Sequence, residues 1–299
     1  MCVGLALGSL GSALDAAPRK GDRFDTDQLR AFAHKETLAG NIEASSTIVA
    51  LHKFEPQVQQ VFDAAFADLR RVALLFDSSR PESDLSRVNA QTGGQAVQVS
   101  KEMVQLLALA KKMHYVTKGA FDIVETAGTT ANDIKLDKGA NTVRVAKAAP
   151  LRLEHLIDGY LTDLLLMHLW NANIDNILVQ VGGAARSQGR DVVGPWRLTI
   201  ADVAGRYAAR GITLTFSNLA AATVGAGRRA PTLDFRTKQP LTPPCRGVTI
   251  LSRDAATSLA IANAVYVLGP TAGMELANRL QSRAVIMDNA GNLAKSPGL

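Results

Sequence analysis

The chain has 299 residues, 47% of them hydrophobic and 20% charged, a globular profile in which a core closes without metal or disulfides. Its formal net charge of +6 attracts anions, but no long Lys/Arg run is present and aromatics make up only 5%. That argues against nucleic acid; a phosphorylated small molecule is equally compatible with the charge, which alone does not choose. Two cysteines, Cys2 and Cys245, exclude a disulfide framework, and the five scattered histidines form no zinc signature.

Residues 1–40 read as a poorly ordered lead or the remnant of an export signal, ahead of one domain over 41–299. The apolar start resembles the end of a secretory signal without its basic region. A periplasmic or cell-envelope location is therefore expected, with the cytoplasm as the alternative. No later segment is apolar for long enough to span a membrane. Ser45–Lys53 is rich in β-branched residues and predicts a strand. Val58, Val61, Phe62, Ala65, Phe66, Leu69, Val72 and Ala73 recur at helical spacing and predict a helix over Pro56–Asp77. A second helix is expected over Lys101–Lys118, capped by Ser100 and closed by Gly119. Residues 126–150 read as loop with one hairpin, Asp133–Asp137 against Thr142–Lys147.

A third helix follows over Asp158–Asn171, where His168 reads as a satisfied core residue. Strands are expected at Asn176–Gly182, Trp196–Val203, Gly211–Asn218 and Gly247–Leu251. Asp254 should cap a long apolar helix ending at Gly269, followed by a helix over Thr271–Gln281 and a strand at Arg283–Met287. Helices packed on a sheet with long loops between them make an α+β or α/β domain.

Five segments carry polar or glycine-rich patterns with two readings each. Ser83 to Asn89 reads as turn formers in a polar loop. Gly119-Ala120-Phe121-Asp122 reads as a C-cap glycine, a core Phe and an Asp satisfying a loop. Gly182-Gly183 ends a strand and lets backbone amides approach a phosphate. Since Arg186, Gly189 and Asp191 are expected in loop, no helix opens there and the Rossmann fingerprint is absent. Ala220 to Arg229 joins small residues to Arg228 and Arg229, a diphosphate-binding loop or a solvated basic one. Asp234 to Thr237 reads as a solvated turn.

Taken in order, these segments resemble the ApbE family of FAD:protein FMN transferases. The family's Ser-x-Leu-Ser-x-x-Asn is met by Ser83, Leu85, Ser86 and Asn89, and its Gly-Ala-Phe-Asp by Gly119 to Asp122. Gly159, Tyr160 and Asp163 match its Gly-Tyr-x-x-Asp helix start. Gly182-Gly183, Pro195-Trp196, Ala222-Thr223-Val224-Gly225 and Val267-Leu268-Gly269 follow in the family's order, so the resemblance covers about residues 45–290. It implies an α+β, T-fold-related domain with helices on a mixed β-sheet. The implied reaction is Mg²⁺-dependent: FAD's diphosphate is split, FMN passes to a Thr of an acceptor protein, and AMP leaves. FAD contacts are implied at Ser83, Ser86, Asn89, Phe121, Asp122, Tyr160, Gly182, Gly183, Thr223 and Arg236, and metal contacts at Ala222 and Asn263.

The departures fall on that chemistry. Asp158 stands for the family's Lys, Ala184 for the Asp after Gly-Gly, and Pro231 for the His of a His-x-x-Asp-Pro-Arg-Thr-Gly loop. Asp234, Arg236 and Thr237 match that loop, while Phe235 and Lys238 replace its Pro and Gly. Leu259 takes the place of a metal-ligating Asp, and a leucine coordinates nothing. Two readings stay open: a transferase with a remodelled metal site, and an inactive flavin-binding or scaffold paralogue. A nucleotide-dependent oxidoreductase rests only on Gly-Gly and charge.

Overall fold

The computed structural model describes residues 29–200, 212–225 and 230–299. Two ten-residue strands come first, β1 (Leu29–Leu38) and β2 (Ile42–Leu51). Gly40 and Asn41 turn the chain between them at φ 70° and 57°, a left-handed conformation that Gly and Asn adopt at low cost. β1 corrects the expected lead over residues 1–40, because Leu29 to Leu38 pair with β2 along their whole length. Its alternation sends Phe32 and Leu38 to one core and Leu29 and Ala31 to another. Residues 1–28 lie outside the described residues.

Next come α1 (Glu55–Leu75), α2 (Asp84–Ala90), β3 (Val97–Gln98) and α3 (Lys101–Val116). The hairpin β4 (Ile134–Asp137) with β5 (Thr142–Val145) and the helix α4 (Ile157–Asn171) follow. Then the chain makes strands: β6 (Ile177–Val181), β7 (Ala184–Gln188), β8 (Arg190–Asp191), β9 (Gly194–Pro195), β10 (Arg197–Ile200), β11 (Ile212–Thr215), β12 (Ala220–Gly225) and β13 (Gly247–Ser252). It closes with α5 (Ala255–Leu268), α6 (Pro270–Arg279), β14 (Arg283–Met287) and β15 (Leu293–Lys295).

Eight strands form the main sheet in the order β1-β2-β6-β7-β12-β13-β14-β15. The α+β expectation holds, but every pairing in this sheet is antiparallel rather than mixed. Two helices, not one, lie between β13 and β14, so the chain re-enters the sheet reversed. Period-two alternation splits the strands between two cores. Ile48, Val179, Ala222 and Ile250 face the helices, while Val49, Leu178, Ala221 and Leu251 face a second cluster with Trp196 and Phe216. α5 is buried almost all round, as a helix apolar on every side must be.

Three loop expectations are corrected. Residues 84–90 form α2, with Ser83 as its N-cap. Arg186 lies in β7 and Asp191 in β8. Ala220 to Gly225 are an inner strand of the sheet. Arg228, Arg229 and the expected strand ends at 201–203 and 211 lie outside the described residues. His168 is not a core residue: its Nε2 sits 2.6 Å from Asp68 Oδ2 on the α1–α4 surface.

Candidate functional site

α2 places the first group. Ser83 Oγ accepts from the Ser86 amide at 3.1 Å, and Ser86 Oγ donates to Ser78 O at 3.3 Å. Ser83 thus caps α2, and Ser86 ties the helix to the turn before it. Asn89 reaches further: its Nδ2 donates to Leu151 O at 3.1 Å and its Oδ1 accepts from Leu151 N at 2.7 Å. That pairing fixes where the 151–156 segment begins.

α3 delivers the second group. Gly119, at φ 80°, ends the helix by donating its amide to His114 O at 2.9 Å. Phe121 and Asp122 are fully buried. Asp122 Oδ1 accepts from the amides of Ile123, Val124 and Ala131 at 2.8, 3.1 and 3.1 Å. Its Oδ2 faces Lys238 Nζ at 3.2 Å and His114 Nδ1 at 3.2 Å. Lys238 also donates to Val124 O, which joins the 230–241 loop to the Phe121–Val124 segment. Phe235 meets Phe121 and His155 edge-on, with ring centroids 6.2 and 5.3 Å apart. In that loop Arg236 holds Asp234 through Nε at 3.0 Å and a terminal nitrogen at 2.7 Å. This pairing keeps the Asp234 carboxyl below its ordinary range.

The 151–156 segment lies against the second group. Val124 bridges Leu151, and Arg152 N donates to Ile123 O at 2.7 Å. His155 is buried, its Nε2 3.8 Å from Glu125 Oε1. Asn263, reaching down from α5, donates its Nδ2 to His155 O at 3.1 Å and to Leu259 O at 2.8 Å. Asn89, Phe121, Asp122, Asn263 and the Arg236 loop therefore converge on one strand-like pair. Glu125, Arg152 and His155 belong to the same cluster, and the sequence reading missed them. Glu125 lies three residues after Asp122 and His155 three before Asp158, but no local pattern marks any of the three.

Gly182, Gly183, Thr223 and Asp158 form a neighbouring group. The two glycines are the two-residue loop of the β6–β7 hairpin, and the first has φ 53°, a value that a type II′ loop reserves for glycine. Gly182 N donates to Glu43 O at 2.8 Å, and Gly183 N to Asp158 Oδ2 at 3.1 Å. Thr223 N donates to Gly183 O at 3.0 Å, while its hydroxyl pairs with Thr249 at 2.9 Å. Tyr160 points elsewhere: its hydroxyl donates to Gln105 at 3.1 Å, and burial pushes its pKa up to about 12. Asp163 caps α5 by accepting from Ala255 N and Ala256 N, each at 2.9 Å, with Arg186 at 2.7 Å.

The donor set does not suit Mg²⁺, which takes hard oxygen ligands and commonly one or two carboxylates. Leu259 is 6% exposed and packed in the main core. Asn263 offers one buried amide oxygen without a hydrogen-bond partner, and His155 Nδ1, a nitrogen, is another such buried atom. Ala222 is an inner-strand residue opposite Ile250 and Ala184. Among the described residues no group of three or more His, Cys, Asp or Glu could hold a metal ion.

Comparison with known proteins gives consistent relatives. The pattern of the ApbE family matches residues 42–128 and 125–287. The FAD:protein FMN transferase of Haemophilus influenzae is 24% identical over 277 residues, covering 77% of this chain and 79% of that protein. Its Vibrio cholerae counterpart is 24% identical over 241 residues, covering 68% and 71%. Among solved structures, the Pseudomonas stutzeri flavinyl transferase ApbE in its apo form aligns at TM-score 0.79 with 20% identity, over 93% of this chain and 97% of that one. The Thermotoga maritima ApbE protein aligns at TM-score 0.76 with 20% identity, over 90% and 97%. At such identities the structural likeness speaks for the fold.

Proposed function

The chain belongs to the ApbE family, and from that premise we propose that it is a flavin-nucleotide protein of the FAD:protein FMN transferase type. On this reading FAD is its ligand. In the family reaction an acceptor Thr hydroxyl attacks the FMN-side phosphorus and gives up its proton, the bond to the AMP oxygen breaks, and AMP departs with the bonding electron pair while the proton passes to water. The observation that carries this reading is the family match across residues 42–287, joined to the convergence of Asn89, Phe121, Asp122, Asn263 and the Arg236 loop on one segment.

A specific observation favours a second reading, a flavin-binding paralogue that transfers nothing. Leu259 is packed in the core at the family's carboxylate position, Pro231 stands at its His, and the Asn263 amide nitrogen is turned to a loop carbonyl. Losing one well-placed donor commonly costs a catalytic site about 10²–10³ in rate. Incubating the protein with FAD, Mg²⁺ and a Thr-bearing acceptor peptide tests both readings. A covalent FMN mass increment with AMP release supports the transferase. FAD binding without an increment supports the paralogue, and absence of FAD binding defeats both.

A further inference from the structure

The last turn of α3 carries His114, which is 9% exposed and held through one ring nitrogen. Its Nδ1 lies 3.2 Å from Phe121 O and 3.2 Å from Asp122 Oδ2. Both neighbours are acceptors, so this network assigns the ring proton to Nδ1 and leaves a bare lone pair on Nε2. Among the described residues no hydrogen bond reaches Nε2. Gly119 runs past the ring: a Cβ there would lie 3.6 Å from His114 Cε1 and 4.0 Å from Arg236 Cγ. The imidazole and the stem of Arg236 therefore flank the same backbone position. Arg236 gives Nε and Nη2 to Asp234, has no partner for Nη1 among the described residues, and keeps 45% of its side chain exposed.

We propose that His114 is the proton acceptor of FMN transfer, oriented by Asp122 and Phe121 O. The inference rests on the transferase reading and names the base that this reading needs. Transfer of a phosphoryl group is mostly positioning and electrostatics, and a side chain that takes the nucleophile's proton completes it. A buried carboxylate against Nδ1–H with a bare nitrogen opposite is suited to that task. The carboxylate fixes the tautomer and the ring plane, and it faces the positive charge that forms when the ring is protonated. Asp122 is itself held by three amides on Oδ1, and Lys238 shares its Oδ2. Asp122, Lys238 and Arg236 are the charged groups that these contacts set around the ring. In the step, the acceptor Thr oxygen bonds to phosphorus while its proton moves to Nε2. The bond to the AMP oxygen breaks with its electron pair, and Nε2 then releases the proton to water. The free Nη1 of Arg236 stands on the same side of Gly119, where a guanidinium suits phosphate oxygens.

The test compares wild type and His114→Asn in FMN transfer from FAD to a Thr-bearing peptide with Mg²⁺, across pH. Asn keeps an amide donor where Nδ1 donates and has no second nitrogen. His114→Gln carries the same comparison should the Asn variant melt early. The variant's kcat should fall at least about 100-fold with FAD affinity unchanged. The rise of kcat with pH in wild type should vanish with the imidazole, which a merely structural role would not cause. Diethyl pyrocarbonate gives a readout that needs no turnover: it should label His114 in the free protein and spare it when FAD is bound. A variant kcat matching wild type, or an unchanged pH profile, overturns the proposal. So does a His114 that stays unlabelled in the folded protein or is labelled equally with FAD bound. FAD binding without transfer by wild type also overturns it, since the paralogue needs no base. Failure of the flavin reading itself would appear as absence of FAD binding to wild type, seen by titration before any histidine is changed.

Discussion

Lys238 has φ 59°, the left-handed region that favours glycine, and its ammonium is nearly as buried as the carboxylate it serves, 6% against 0%. A non-glycine residue there bears backbone strain, so the ion pair with Asp122 must more than offset it. Removing the ammonium leaves Asp122 buried with three amides and His114 Nδ1 as its remaining partners. Lys238→Met should therefore destabilise the fold by about 3 kcal/mol, near the low end for a broken buried pair because those amides remain. Adding Asp122→Asn should recover a large part of the loss. Urea unfolding of the two variants checks this, and additive losses would refute the coupling. Such a partnership was not legible in the sequence, since the two residues are 116 positions apart. Lys238 showed only as a departure from a motif, and Glu125 and His155 gave no local pattern at all. Asp122, by contrast, was readable as an Asp satisfying loop amides. Asp234 provides a pH test on the same loop. Arg236 lowers its folded pKa, so its contribution is present above the unfolded value near 3.8 and is lost as pH falls through the folded one. The pair is partly exposed, so the effect should stay within about 1 kcal/mol. Asp234→Asn should flatten the stability curve below about pH 4, and an unchanged acid limb would count against it.

At the level of elements, α4 and α5 touch through Gly159. A methyl group there would lie 2.6 Å from backbone atoms of α5, which cannot swing aside as a side chain would. Gly159→Ala should cost about 1–3 kcal/mol or more through overpacking. It should also weaken ligand binding, because α5 carries Asn263 and α4 carries Asp158. A thermal melt beside an FAD titration would show it, and a variant matching wild type in both would mean that the helices part freely. The helices were the legible elements. α1, α3 and α4 carry apolar residues at helical spacing, α5 is a long unbroken apolar run, and Ser100 and Asp254 cap α3 and α5 as their side-chain chemistry predicts. Two of the strands that were missed, β12 and β7, lack a clear alternation of their own. β12 is Ala-Ala-Ala-Thr-Val-Gly, where small residues signal a ligand loop as readily as a strand. β7 follows a glycine pair and alternates weakly, and its strand character comes from its neighbours β6 and β12. α2 has seven residues, too short to show a period.

Across the whole molecule, the antiparallel sheet ties the first described strand to the last through six others, and the candidate site draws on segments from Asn89 to Asn263. β1 lies at one edge. Its residues Arg30 and Lys35 are exposed, the kind of charge that discourages pairing with another chain. Its inner residues cover the core: Leu38 is 5% exposed, and Phe32 packs on the main cluster. β1 also holds α1 through Glu36, which accepts from Arg70 at 2.7 Å. Burying one such apolar side chain contributes about 1.5–3 kcal/mol, so losing β1 should remove roughly 3 kcal/mol or more. It would also expose the β2 edge, with its β-branched run Thr47, Ile48 and Val49, to self-association. A chain beginning at Ile42 should unfold at clearly lower urea than one beginning at Leu29, and should aggregate on concentration. Equal midpoints for the two would show that the helical core holds the sheet without its first strand.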